Sequence, residues 1–179
     1  PGPVEPDEDR RTWPTAIGVL LIVLQSIGFL VTLATAASLF IDFSSAMHAF
    51  GAASAMDAQR AWRTELLATY AASALLSILA IAGAALLLHR RRLGVTMLLA
   101  WALLRLPHAL FSSWVAANAQ RDTVNSMPQT MARPTPAAFA DVMYWTTFLS
   151  SMLWLLILPA FVLIWFLVPP IRRQTRLWP

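Results

Sequence analysis

Residues 66–105 decide the fold, and they read LLATYAASALLSILAIAGAALLLHRRRLGVTMLLAWALLR. Two apolar runs meet there at a short basic cluster, His89 to Arg92, and the second run continues beyond Arg105. A bilayer core of about 30 Å needs roughly 20 helical residues, and both runs are long enough to cross it. The pattern therefore predicts two membrane-spanning helices that form a hairpin, because almost no residues separate them.

Two further apolar runs flank this hairpin, so the sequence predicts four spans. Hydrophobic residues make up 58% of the 179 residues and charged residues only 12%, which excludes a disordered chain and is unlike a soluble domain. The alternating polarity of a membrane β-barrel is missing from the sequence. We expect an all-α integral membrane protein, an antiparallel four-helix transmembrane bundle with spans over about residues 14–41, 66–88, 93–118 and 142–168.

The arginines beside the spans indicate the orientation, because basic residues collect on the cytoplasmic side of a membrane. Four crossings place eight arginines on one side, and the other side receives four in its two longer loops. The eight are Arg10, Arg11, Arg90, Arg91, Arg92, Arg172, Arg173 and Arg176. We therefore expect both termini in the cytoplasm and the chain in a bacterial inner membrane.

The segments between and beyond the spans have their own composition. Residues 1–13 are acidic and rich in proline, which is typical of a cytoplasmic linker, and residues 172–179 form a basic cytoplasmic tail. The membrane domain then covers residues 14–171. Residues 43–61 lack proline and favour an outer helical or interfacial segment, whereas the prolines of residues 121–138 favour a loop.

Small and polar residues indicate which helix faces meet, because helices in lipid associate through close backbone approach and hydrogen bonds. The first span carries one such stripe, and the second span carries a longer one. The first stripe is Gln25, Gly28, Thr32 and Thr35, and the second is Glu65, Thr69, Ser73, Ser77, Ala80 and Ala84. Both stripes are expected to face the interior of the bundle.

Arg105 is the most informative residue, since it lies about 18 Å along the third span from Leu93. A charge at such a depth costs about 2.5–3.5 kcal/mol on insertion scales and marks a paired or functional group. Glu65 is the first candidate partner, because its helix is the hairpin partner, and Asp141 is the second. Two interpretations stay open: an arginine that reaches to the outer interface and only fixes depth, or a site for an anion or a lipid headgroup.

Six residues are the candidate binding residues in the outer half of the bundle. They are Arg105, His108, Glu65, Asp141, Tyr144 and Gln25. We expect no cofactor and no metal, because the three histidines lie at different depths and the chain has no cysteine. The sequence contains no G-x-S-x-G or H-E-x-x-H motif, so nothing in it favours an enzyme.

These observations favour a small polytopic membrane protein with a structural, anchoring or partner-modulating role. The alternative is a membrane transport or binding protein with an anion or lipid-headgroup site around Arg105. The lipid bilayer is the expected partner, and a protein partner or a second copy of the chain stays open. Nucleic acid is excluded as a partner, since the arginines lie mainly at the ends of apolar runs and form no basic stripe.

Overall fold

The computed structural model describes residues 12–41, 60–126 and 137–169, together with the single residues 57, 171, 175 and 178. The regular structure within these ranges is all helical. It consists of α1 (Trp13–Ser38), α2 (Arg63–Leu88), α3 (Arg92–Ser126) and α4 (Ala137–Leu167). Each of the four contains a stretch long and apolar enough to cross a membrane, with a mean hydropathy between 1.5 and 2.4. The prediction of four helices long and apolar enough to be membrane spans is confirmed, and the described ranges agree with an all-α class.

The interpretation of residues 121–138 as a loop is wrong at both ends. Helix α3 continues through Ser126, and α4 already begins at Ala137. Burial of Val124 against the other helices favours the last turns of α3, in which the Thr123 hydroxyl donates to the carbonyl of Ala119 at 2.7 Å. Proline disfavours helix only from the residue before it, and the first proline of this segment is Pro128.

The outer helical segment that we expect over residues 43–61 lies mostly outside the described residues. Within it, Asp57, Arg60 and Ala61 are helical. Helix α2 begins at Arg63, slightly before the predicted start of the second span. Residues 1–11 of the predicted linker and most of the predicted basic tail also lie outside the described ranges, and Trp13 of the predicted linker already belongs to α1.

Helices α2 and α3 approach closely beside the tight turn that joins them. Arg90 takes a left-handed backbone conformation in this turn, with a φ of 52°. A Cβ atom on Gly94 would lie only 2.6 Å from the backbone nitrogen of Leu87 and 2.8 Å from the carbonyl oxygen of Gly83. The absence of a side chain at Gly94 therefore allows the two backbones to touch, as small residues do in membrane helix pairs.

The apolar core lies at the end of the molecule that holds this turn. There the four helices contribute Ile17, Leu21, Ala80, Ala84, Leu87, Leu98, Trp101, Ala102, Val162 and Phe166. Each helix packs most extensively on its neighbours in sequence. Helix α1 also reaches α4 at this end, where the Trp13 ring lies 6.1 Å from that of Trp165.

Of the two predicted stripes, the one on α2 faces the other helices and the one on α1 does not. The stripe on α2 is confirmed from Thr69 onward, since Thr69, Ser73 and the residues that continue it are buried. The expectation for α1 is wrong, because Gly28 and Thr35 are exposed. The Thr35 hydroxyl donates to the carbonyl of Val31 at 2.8 Å and is therefore satisfied within its own helix.

The close approach at Gly94 leads to a prediction about stability. Gly94→Ala is expected to lower the free energy of unfolding by about 1–3 kcal/mol, because the new Cβ meets backbone atoms that cannot rotate away. Titration with sodium dodecyl sulfate in mixed micelles measures this loss. Gly28→Ala is the matched control, since nothing lies within 4 Å of its added Cβ, and it should not lower the stability. Equal losses from the two variants would contradict the packing described above.

Candidate functional site

Arg105 lies in the middle part of α3 and faces α2. It stands about 20 Å along the helix from Arg92 and is half-buried. Its Nη1 atom donates to the hydroxyl oxygen of Ser73 at 3.3 Å and lies 3.5 Å from Nδ1 of His108. The guanidinium is therefore bound to neutral groups, one on α2 and one on its own helix.

The expected pairing of Arg105 with Glu65 or Asp141 is wrong. Glu65 precedes Ser73 by two helical turns, about 12 Å along α2, so it lies beyond the reach of the arginine. Asp141 pairs instead with Arg121, whose Nη2 atom lies 2.7 Å from its Oδ1 atom. In the described part of the chain, Arg105 consequently has no carboxylate partner.

The position of His108 fixes its tautomer. Its Nε2 atom lies 3.1 Å from the carbonyl oxygen of Thr69, which can only accept, so Nε2 carries the proton. Its Nδ1 atom faces Arg105, which can only donate, so Nδ1 is the acceptor. The same Nε2 lies 3.2 Å from the Ser73 hydroxyl. The neutral imidazole with a proton on Nε2 satisfies all these contacts.

Helical spacing explains why these groups meet. Thr69 and Ser73 are four residues apart on α2, and Arg105 and His108 are three apart on α3, so each pair shares one face of its helix. The Thr69 hydroxyl bonds within its own helix to the carbonyl of Leu66 at 2.8 Å. Thr69 therefore offers its backbone carbonyl to α3, while Ser73 offers its hydroxyl.

One edge of the guanidinium is left unused. An arginine carries five N–H donors, and the contacts with Ser73 and His108 both involve Nη1. Across the described ranges, Nε and Nη2 have no acceptor. These two nitrogen atoms are not fully buried. The fully buried side-chain atoms that lack a hydrogen-bond partner in the described ranges belong to Glu65, Trp101, Ser113 and Trp165. The free edge of Arg105 therefore opens at the surface of the helices.

A second polar cluster lies at the opposite end from the core. Arg121 joins α3 to α4 through Asp141, and its guanidinium carbon lies 5.9 Å from the centre of the Tyr144 ring. The indole N–H of Trp62 donates to Asp122 at 2.8 Å and thereby joins α2 to α3. These groups are exposed or half-buried, so they form a rim of the bundle and not an interior site.

The six candidate residues therefore separate into three groups. Arg105 and His108 meet at the interhelical site, whereas Asp141 and Tyr144 belong to the rim cluster. Glu65 and Gln25 contribute no hydrogen bond to either, and the Oε2 atom of Glu65 is buried without a partner among the described residues. No group of three His, Cys, Asp or Glu residues within the described ranges is placed to hold a metal ion.

Sequence reasoning missed Ser73 and the Thr69 carbonyl as partners of the site. A signal for Ser73 exists in the hairpin itself. In an antiparallel hairpin, residues at equal distances before and after the turn lie side by side. With the turn at Arg90, Arg105 lies beside Leu75, which is within one helical turn of Ser73. The Thr69 carbonyl has no such signal, because every residue carries a carbonyl group.

The network predicts energetic coupling between Arg105 and Ser73. In a double-mutant cycle, Arg105→Leu and Ser73→Ala should couple by about 0.5–2 kcal/mol, because each change removes the same hydrogen bond. Unfolding in mixed micelles measures the four free energies. The control cycle combines Arg105→Leu with Glu65→Gln and should be additive to within about 0.5 kcal/mol. Coupling in the control cycle alone would show that Glu65, and not Ser73, is the partner of Arg105.

No protein-family model matches this sequence. Comparisons with curated proteins and with solved structures also find no match. What the protein binds therefore has to be inferred from its own residues.

Proposed function

We propose that the chain is an integral membrane protein whose four helices cross a bacterial inner membrane in antiparallel order. The long apolar windows of all four helices support the crossing. The contacts between α2 and α3 support the antiparallel order, since they run from Gly83 and Gly94 near the turn to Trp62 and Asp122 at the far end. The excess of arginine beside the turn and the termini supports cytoplasmic termini.

Within this membrane domain, we propose that Arg105 binds an anionic group. The observation that carries the proposal is a guanidinium with neutral partners and a free edge formed by Nε and Nη2. In a medium of low dielectric constant, an unpaired positive charge is costly, and an anion at this edge offsets the cost. Carboxylates and phosphates both present two oxygens that match two parallel N–H donors.

Ser73 and His108 have a positioning role in this proposal. Both accept from Nη1, so they hold the guanidinium against α2 and leave its other edge in a fixed direction. The proton on Nε2 of His108 is held by the Thr69 carbonyl, which keeps Nδ1 available as an acceptor. The site is thus preorganised by neutral groups that do not compete with the anion for charge.

A structural, anchoring or partner-modulating role is the second candidate function. The exposed side of α1 favours it, because no atom lies within 4 Å of a Cβ added to Gly28, and Val31, one helical turn away on the same face, is 59% exposed. A helix of a partner protein or of a second copy fits against such a face, since small residues allow close approach. In this case Arg105 would serve to fix the depth and packing of α3.

The anion proposal is tested by thermal unfolding of the protein in nanodiscs of zwitterionic lipid. Hexanoate and inorganic phosphate are added at constant ionic strength to the wild type, to Arg105→Gln and to Arg121→Gln. An anion that binds the folded protein raises the Tm, and the rise grows with the logarithm of one plus the ratio of the anion concentration to Kd, so at least one of the two should stabilise the wild type. Arg105→Gln should lose this response, because glutamine supplies no charge and no parallel donors.

The control is Arg121→Gln, which removes an arginine of the same helix that already has Asp141 as its partner. It should keep the response of the wild type. Identical responses of the wild type and Arg105→Gln to both anions would reject Arg105 as the binding group and leave the structural role.

A further inference from the structure

We infer that the anion bound at Arg105 is the carboxylate of a single-chain amphiphile, of the long-chain fatty acid class. This inference rests on the proposed function and specifies its ligand. Three features support it: the shape of the free edge, its charge and depth, and the apolar outside of the helix that carries it.

The free edge of Arg105 fits a planar head with two oxygens. Its Nη1 atom is already engaged by Ser73 and His108, so the remaining donors on Nε and Nη2 lie side by side in the guanidinium plane. Two parallel N–H groups bind the two oxygens of a carboxylate in a bidentate pair. A single-oxygen head such as an alcohol uses only one of them and carries no charge.

Charge and depth favour a carboxylate over a phosphate. Arg105 carries one positive charge, and its described partners are neutral, so one carboxylate leaves the site with no net charge. A phosphate monoester carries about 1.5–2 negative charges at neutral pH and would leave an excess charge in the membrane interior. The residue lies about 20 Å along α3 from Arg92, well inside the apolar span, whereas phospholipid phosphates lie outside the hydrocarbon core.

The apolar outside of α3 suits an alkyl chain. Away from the face that holds Arg105 and His108, large apolar side chains near the same level of the helix are each about half exposed: Leu103, Leu104, Leu110 and Phe111. Because the free nitrogen atoms of Arg105 also open at the helix surface, a head bound there leaves its chain to extend into the lipid beside α3. The chain itself anchors the amphiphile in the bilayer, because each buried CH₂ group adds to its affinity for the membrane.

The test compares ligands that separate the head from the chain. Palmitate is titrated into nanodiscs of zwitterionic lipid that hold the protein, and thermal unfolding reports binding. Hexadecanol has the same chain with an uncharged head, hexadecyl phosphate has the same chain with a phosphate head, and acetate has the same head without a chain. We expect an apparent affinity for palmitate about tenfold above that for hexadecyl phosphate, and no stabilisation by hexadecanol.

Two variants assign the effect to Arg105. Arg105→Gln should lose the response to palmitate, and Arg121→Gln should retain it. Arg105→Lys is the second variant in case glutamine prevents folding. It keeps the charge but offers a compact ammonium in place of two parallel donors, so its affinity for palmitate should fall about tenfold.

The other outcomes overturn the inference in different ways. If hexadecyl phosphate stabilised the protein as much as palmitate or more, the site would bind the phosphate of a lipid headgroup. If inorganic phosphate did so, the site would bind free phosphate. An Arg105-dependent response to acetate equal to that to palmitate would retain the anion site and reject the amphiphile. If no anion gave an Arg105-dependent response, both this inference and the proposed function would be rejected.

Discussion

A positive charge placed among apolar helices is the constraint on which the arrangement of α2 and α3 depends. Arg105 donates from Nη1 to Ser73 and lies beside His108, and both are neutral. Such hydrogen bonds compensate part of the lost hydration of a guanidinium, but they do not cancel its charge. The proposed anion binding rests on the remaining N–H donors and the remaining charge of Arg105.

Close packing of the two helices makes this network possible. Gly94 lets the backbones of α2 and α3 touch beside the turn, and Ser73 is small enough to stay buried between the helices with 9% of its surface exposed. A side chain at Gly94 would separate the helices and move Ser73 away from Arg105. The core at the turn and the ion pair of Arg121 with Asp141 at the other end hold the remaining elements in place.

Much of the fold follows from the sequence, because runs of apolar residues between arginines determine the helices directly. The buried face of α2 was also predictable, since the stripe from Thr69 to Ala84 is small and polar along one side. Sequence reasoning failed where a polar group has a local partner. Thr32 and Thr35 bond to carbonyls of their own helix, so their presence on a stripe does not imply a neighbouring helix.

The site was predictable only in part. Arg105 and His108 share a face by their spacing, which the sequence reveals, but their partner on α2 depends on how the hairpin aligns the two helices. The tight turn at Arg90 brings Ser73 to Arg105 and leaves Glu65 near the end of α2. Opposite charge alone therefore suggested the wrong partner, because a pairing also requires the two groups to lie at the same level.

The tautomer of His108 in a lipid bilayer is the most direct measure of whether this network exists. Solid-state ¹⁵N NMR of the histidine-labelled protein at neutral pH, with the signal assigned by a His108→Gln variant, distinguishes the protonated from the unprotonated ring nitrogen. The network predicts an unprotonated Nδ1 that accepts from Arg105 and a protonated Nε2 that donates to the Thr69 carbonyl. A proton on Nδ1, alone or in a doubly protonated ring, would contradict the bond to Arg105 and with it the account of the site.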